Sequence, residues 1–137
     1  MSHLPSPLRS LLALAAATTL AVAVAAQDKP RDYSFSDATS EVLPKYKAAI
    51  EAKTYDAAIA ILDGQIAKVP ADSYDAAMLL QLKTQTLLQK GDFSRALEST
   101  EKALNLSNSK SPTFFDERIT KDLTYFLIQL YVQEAVQ

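Results

Sequence analysis

The chain is predicted to be all-α, built of stacked antiparallel helical hairpins, with about five helices after an apolar leader. Three observations predict this. From about residue 39 to near the C-terminus, apolar residues recur at three- and four-residue spacing, the repeat of one face of an α-helix. Capping and breaking residues interrupt that pattern at short intervals, as compact helix–helix connections require. No stretch alternates with period two for long enough to make a strand.

The leader comes first and is set apart from the fold. Met1 to Arg9 carries Arg9 and no acid, and Leu11 to Ala26 is an unbroken run of Leu, Ala, Val and Thr. That is the pattern of an export signal over residues 1–26. Ala23 with Ala25, or Val24 with Ala26, gives two adjacent cleavage options, so the mature chain is expected to start at Ala26 or Gln27. The competing reading is an uncleaved anchor, for which the run falls short of the roughly 20 apolar residues that span a bilayer. No Cys follows the run, which excludes a diacylglycerol-modified lipoprotein.

Arg9 is the leader's only charged residue. Of the chain's 14 Lys and Arg and 16 Asp and Glu, all but that one stay in the mature protein, a net charge of about −3. Both signs alternate with no long block of either, which argues against nucleic acid or an anionic membrane as partner. With no Cys, the fold must be held by its hydrophobic core.

Residues 27–38 read as an extended, polar lead-in with Tyr33 and Phe35 available for packing; residues 39–137 form the helical domain. The first helix follows Val42, Tyr46, Ala49 and Ile50. Pro44 is best tolerated in a first turn, which puts the start near Ser40, with Ser36 as a competing cap that would leave Pro44 inside the helix. The second helix follows Tyr55, Ala58, Ile59, Leu62 and Ile66 and is ended by Pro70. Asp72 is the expected cap of the third, with Asp75 echoing a capping box. Gly91 can close the third helix in the left-handed conformation, and Asp92 can cap the fourth, which runs from Phe93 to about Leu106. Ser111 before Pro112 marks the expected start of the fifth.

The chain also matches itself. Tyr55-Asp-Ala-Ala58-Ile59 aligns with Phe93-Ser-Arg-Ala96-Leu97, 38 residues apart, each just after a helix–helix turn. Between Gln89 and Leu106 stand a Gly91-Asp92 turn, the aromatic Phe93, the small Ala96 and the small Ala103. These residues resemble the tetratricopeptide repeat family, whose period is about 34 residues. The longer spacing implies about four extra residues, most easily placed between Ala71 and Asp75. In the earlier copy Lys53-Thr54 stands for the Gly-Asp turn and Gln65 for the second small residue; on the third helix Leu80, Thr84 and Leu87 stand at first-helix positions, without the family's Trp or Gly. The two repeats cover about residues 39–110, and the fifth helix looks like the first helix of a third.

The resemblance implies a concave groove lined by the first helix of each pair, here by Lys47, Gln81, Gln85 and Gln89. The three glutamines stand four apart, one polar stripe on the third helix. Their amides could bond the backbone of an extended peptide, or simply face water. Some members of the family clamp a peptide's C-terminal carboxylate with Lys and Asn; Gln81 and Gln85 stand where those residues would be, so that ligand is not expected.

The fifth helix is apolar nearly all round, which calls for cover on both sides. Leu123, Phe126, Leu127, Leu130 and Tyr131 are its candidates for self-association or for packing on a next repeat. Three readings stay open: a fragment of a longer repeat protein, a terminal cap packed on Tyr33 and Phe35, or cover by a second subunit.

Chemistry is limited by what is missing. His3 lies in the leader, so the mature chain has neither His nor Cys, which rules out His- or Cys-based triads and thiolate or imidazole zinc sites. Two glycines cannot form a phosphate cradle. Asp116 with Glu117, and Asp72 with Asp75, could serve acid–base work or hold a hard cation, but each pair falls near a predicted helix start, where acids offset the helix dipole. Asn105-Leu-Ser107 fits a glycosylation tripeptide and is read as a helix end.

The expectation is therefore a non-catalytic protein- or peptide-binding scaffold with no cofactor and no metal, exported, with the bacterial periplasm as its compartment. A homo-oligomer formed through the last helix is the alternative. A carboxylate-based glycan hydrolase is the more distant one.

Overall fold

The computed structural model describes residues 31–137, so the export segment lies outside the described residues. These residues form five helices: α1 (Asp37–Glu51), α2 (Tyr55–Ile66), α3 (Tyr74–Lys90), α4 (Phe93–Asn108) and α5 (Glu117–Ala135). No strand occurs among the described residues, and none of the helices is long and apolar enough to cross a membrane. Packing runs between sequence neighbours, α1 on α2, α2 on α3, α3 on α4 and α4 on α5, and is most extensive for α3 with α4.

The core follows from small residues at that central crossing. Ala77 on α3 and Ala96 and Ala103 on α4 are all fully buried, and they let the two backbones approach. Leu104, Phe114, Phe115 and Leu123 close one cluster around Ala77 and Ala103; Ile59, Leu87 and Leu130 close another around Ala96. Buried hydroxyls share the same crossing. The Ser99 hydroxyl donates to the Leu80 carbonyl at 2.8 Å, a direct tie from α4 to α3.

Three helix starts differ from expectation, each for a tertiary reason. α1 begins after Ser36, not Ser40, and Pro44 sits inside it. Pro44 has no N–H for the Ser40 carbonyl, but both residues are exposed, so water can serve that oxygen. What holds the earlier start is Asp75, 39 positions away: its carboxylate accepts the Ser36 N–H at 3.2 Å as well as the Ser36 hydroxyl. α3 is capped by Ser73, whose hydroxyl accepts the Ala76 N–H at 3.1 Å, while Asp72 pairs with Lys110 at 3.5 Å. α5 starts after Asp116 rather than Ser111. The intervening residues are needed as a plug: Phe115 is 1 % exposed, and its N–H donates to the buried Ser107 hydroxyl at 2.9 Å.

Other local signals hold. Gly91 closes α3 at φ 84°, the left-handed region that costs glycine least, and Asp92 caps α4 by accepting the Arg95 N–H at 3.3 Å. α4 continues to Asn108, so Asn105 lies within its last turn.

The lead-in forms a strap. Tyr33 stacks on Tyr74 at 5.5 Å, meets Phe114 edge-on at 4.8 Å, and donates its hydroxyl to the Pro112 carbonyl at 2.7 Å. Arg31 donates to the Thr113 carbonyl at 3.2 Å. Tyr33 and Phe35 thus pack on the start of α3 and the α4–α5 connection, and Tyr33 joins the cluster that also holds Leu123 of α5.

Candidate functional site

α3 and α5 both lean on α4 and leave a cleft of about 180 Å³ between them. From α3 it receives Gln81, Thr84, Gln85 and Leu88, a single face at three- and four-residue spacing. From α5 come Arg118, Ile119, Asp122, Leu123 and Phe126. Leu88, Leu123 and Phe126 make an apolar floor, and Gln81, Gln85, Arg118 and Asp122 a polar rim. The Thr84 hydroxyl is committed to the Leu80 carbonyl at 3.1 Å, which leaves the two glutamine amides as the donors and acceptors on the α3 side. Among the described residues neither Arg118 nor Asp122 is in an ion pair, so both remain available to a ligand.

Of the four groove residues expected from the sequence, the structure brings Gln81 and Gln85 together. Gln89 is exposed near the end of α3 and lines no part of the cleft. Lys47 is on α1, paired with Glu51 at 3.9 Å and facing water. Its neighbour Tyr46 is the residue that reaches α3, through a 2.9 Å hydroxyl bond with Thr86. The sequence reading missed Arg118, Asp122 and the floor, because they come from a helix whose phase was not legible.

The five α5 candidates divide. Leu123 and Leu130 are buried against the rest of the chain, so they are corrected from interface to core. Leu127 is half-buried, Phe126 lines the cleft, and only Tyr131 stands well out. The side turned away from the core carries instead Tyr125 (61 % exposed), Ile128 (57 %), Val132 (60 %) and Val136 (82 %). Phe93, the aromatic of the repeat-like segment beside the α3–α4 turn, is 41 % exposed.

A larger open hollow of about 690 Å³ lies at the other end, against the starts of α1 and α3. Its polar wall is a closed network. Thr39 donates its hydroxyl to Asp75 at 2.8 Å and accepts from the Gln65 amide at 3.0 Å. Gln65, which departs from the small residue of the repeat pattern, is thus explained by a buried partner on α1. Burial, and then the adjacent Asp75 carboxylate, hold the Tyr74 phenol above its ordinary value. Asp75 is therefore a buried tether between α3 and the start of α1, not the cap of its own helix.

The remaining carboxylate pair is also spoken for. Asp116 caps α5, accepting the Ile119 N–H at 2.8 Å, and Glu117 pairs with Lys121 at 2.8 Å; both acids are exposed. The Lys121 hydrogen bond holds the Glu117 carboxyl below its ordinary value, and Glu117 in turn raises Lys121. Comparison with known proteins finds no matching family model, curated protein or solved structure, so the α3–α5 cleft and the outer face of α5 are read from their own geometry.

Proposed function

We propose that this chain is a non-catalytic, exported protein-binding module, a short tetratricopeptide-like stack of hairpins that holds a segment of another protein between α3 and α5. The observation that carries the reading is the cleft itself. Gln81 and Gln85 face Arg118 and Asp122 across a floor of Leu88, Leu123 and Phe126. An extended segment can seat one apolar side chain on that floor while its backbone bonds the glutamine amides, the division of labour common to peptide sites. The repeat-like residues around Gly91 and the apolar leader support the hairpin and export parts of the reading.

A photo-crosslinking residue at Gln85 tests it, with the same probe at the solvent-facing Lys47 as control. Partner protein should attach from Gln85 and not from Lys47, and attachment should drop at least tenfold when Phe126→Ala removes part of the floor. Equal labelling from both positions, or labelling untouched by Phe126→Ala, would overturn it.

A further inference from the structure

Six of the seven large apolar side chains exposed on the described residues belong to α5 or the residue that ends it, and only Phe93 lies elsewhere. On the face opposite Leu123 and Leu130, Tyr125, Ile128, Val132 and Ala135 follow one another at spacings of three, four and three, with Lys121 continuing the row toward the N-terminus. That is the seam spacing of paired helices rather than the scatter of an ordinary surface. No charged residue lies between Asp122 and Glu134, so covering the stretch from Tyr125 to Val132 removes no ion from water. With Tyr131 at its edge, the row is a contiguous exposed apolar patch, the kind of surface that marks an interaction site.

We propose that two copies of this chain pair through the outer faces of α5, antiparallel, as a closed two-fold dimer. The occupant is a second copy because the seam is complementary to itself in that direction. Antiparallel pairing sets the bulky Tyr125 of one copy against the small Ala135 of the other and Ile128 against Val132; parallel pairing would set Tyr125 on Tyr125, Ala135 on Ala135 and Lys121 on Lys121. It also carries each Lys121 past the C-terminal end of the other helix, whose free carbonyls favour a cation. Head-to-tail stacking finds no match, since the exposed side chains of α1 include Asp37, Glu41, Lys45, Lys47 and Glu51 and no large apolar one. The pairing therefore closes at two. It uses none of the cleft residues Gln81, Gln85 and Phe126 and does not depend on what the cleft binds.

Sedimentation of the full chain over a range of concentrations should give a dimer. Ile128→Glu and, separately, Val132→Lys should weaken it at least 100-fold while the helical circular dichroism is unchanged, and Gln85→Ala should not move it. The chain has no native Cys, so direction can be read chemically. Tyr125→Cys combined with Ala135→Cys should oxidise to a covalent dimer, the two positions being about 15 Å apart within one helix and unable to bond each other there. Ala135→Cys alone should not crosslink. A monomer at every concentration, a dimer indifferent to both charge substitutions, or crosslinking by Ala135→Cys alone would overturn the proposal.

Discussion

At the α1 end of the molecule no large apolar side chain is exposed, and beside its packing on α2 the helix is tied by polar groups reaching across from α3. At the α5 end the charged residues of the first turns give way, from Tyr125 onward, to an exposed row of Tyr, Ile and Val, and the helix is fastened by buried hydrocarbon, chiefly Phe115, Leu123 and Leu130. Both helices cover one side of a neighbour, yet one meets water with a polar face and the other with an apolar face. A helix that covers its neighbour on one side only is at ease in water when its outer face is polar. The difference teaches that exposure has a separate meaning at each end: α1 is finished against solvent, whereas α5 still has apolar surface to cover.

The comparison can be tested from the hydrocarbon side first. Phe115→Ala empties a fully enclosed site and should cost about 4 kcal/mol in chemical denaturation, within the range for large aromatic truncations. A loss below about 1 kcal/mol would mean that α5 is held by something other than this plug. The polar side follows. Asp75→Ala leaves the Ser36 N–H and the Ser36 and Thr39 hydroxyls without their shared acceptor and should cost about 3 kcal/mol, well beyond the roughly 1 kcal/mol of a lost helix cap. Loosened exchange protection should then appear in α1 rather than α3. If protection is lost in α3 instead, Asp75 is a local cap after all.

The smallest effect concerns the exposed pair at the start of α5. Because the Glu117 carboxyl is held below its ordinary value of 4.5, its contribution is fully present above that value and is lost as pH falls through the lower folded one. Thermal melts of Glu117→Gln and the parent chain should therefore differ slightly at pH 6 and converge near pH 3. A difference that persists at pH 3 would remove the ionised carboxylate as its cause.

The sequence made the helices legible wherever the punctuating residue acts on its own neighbours. Gly91 and Asp92 are such residues, and the α3–α4 turn stands where they mark it. It was misleading wherever a cap is chosen by a distant partner. Ser36 outcompetes Ser40 because Asp75 lies across from it, and no local rule contains a residue 39 positions away. Asp72 and Ser111 fail as caps for related reasons: Lys110 takes the former, and the burial of Phe114 and Phe115 delays α5 beyond the latter. Half of the candidate cleft was visible as the stripe of Gln81 and Gln85. The other half was not, because a helix apolar all round gives no hint of which side meets α4, and Arg118, Asp122 and Phe126 take their places from that rotation.

The strap across Tyr74 and Phe114 bears on how the chain comes together in time. Helix-to-helix packing here joins neighbours and can proceed as each helix is made, but Arg31 and Tyr33 bond to residues about 80 positions later. A ribosome must deliver Phe114 before Tyr33 has its full set of partners. Until then the first residues of the domain are tied down by Asp75 and Tyr74 alone, and the last link closes a loop spanning four of the five helices.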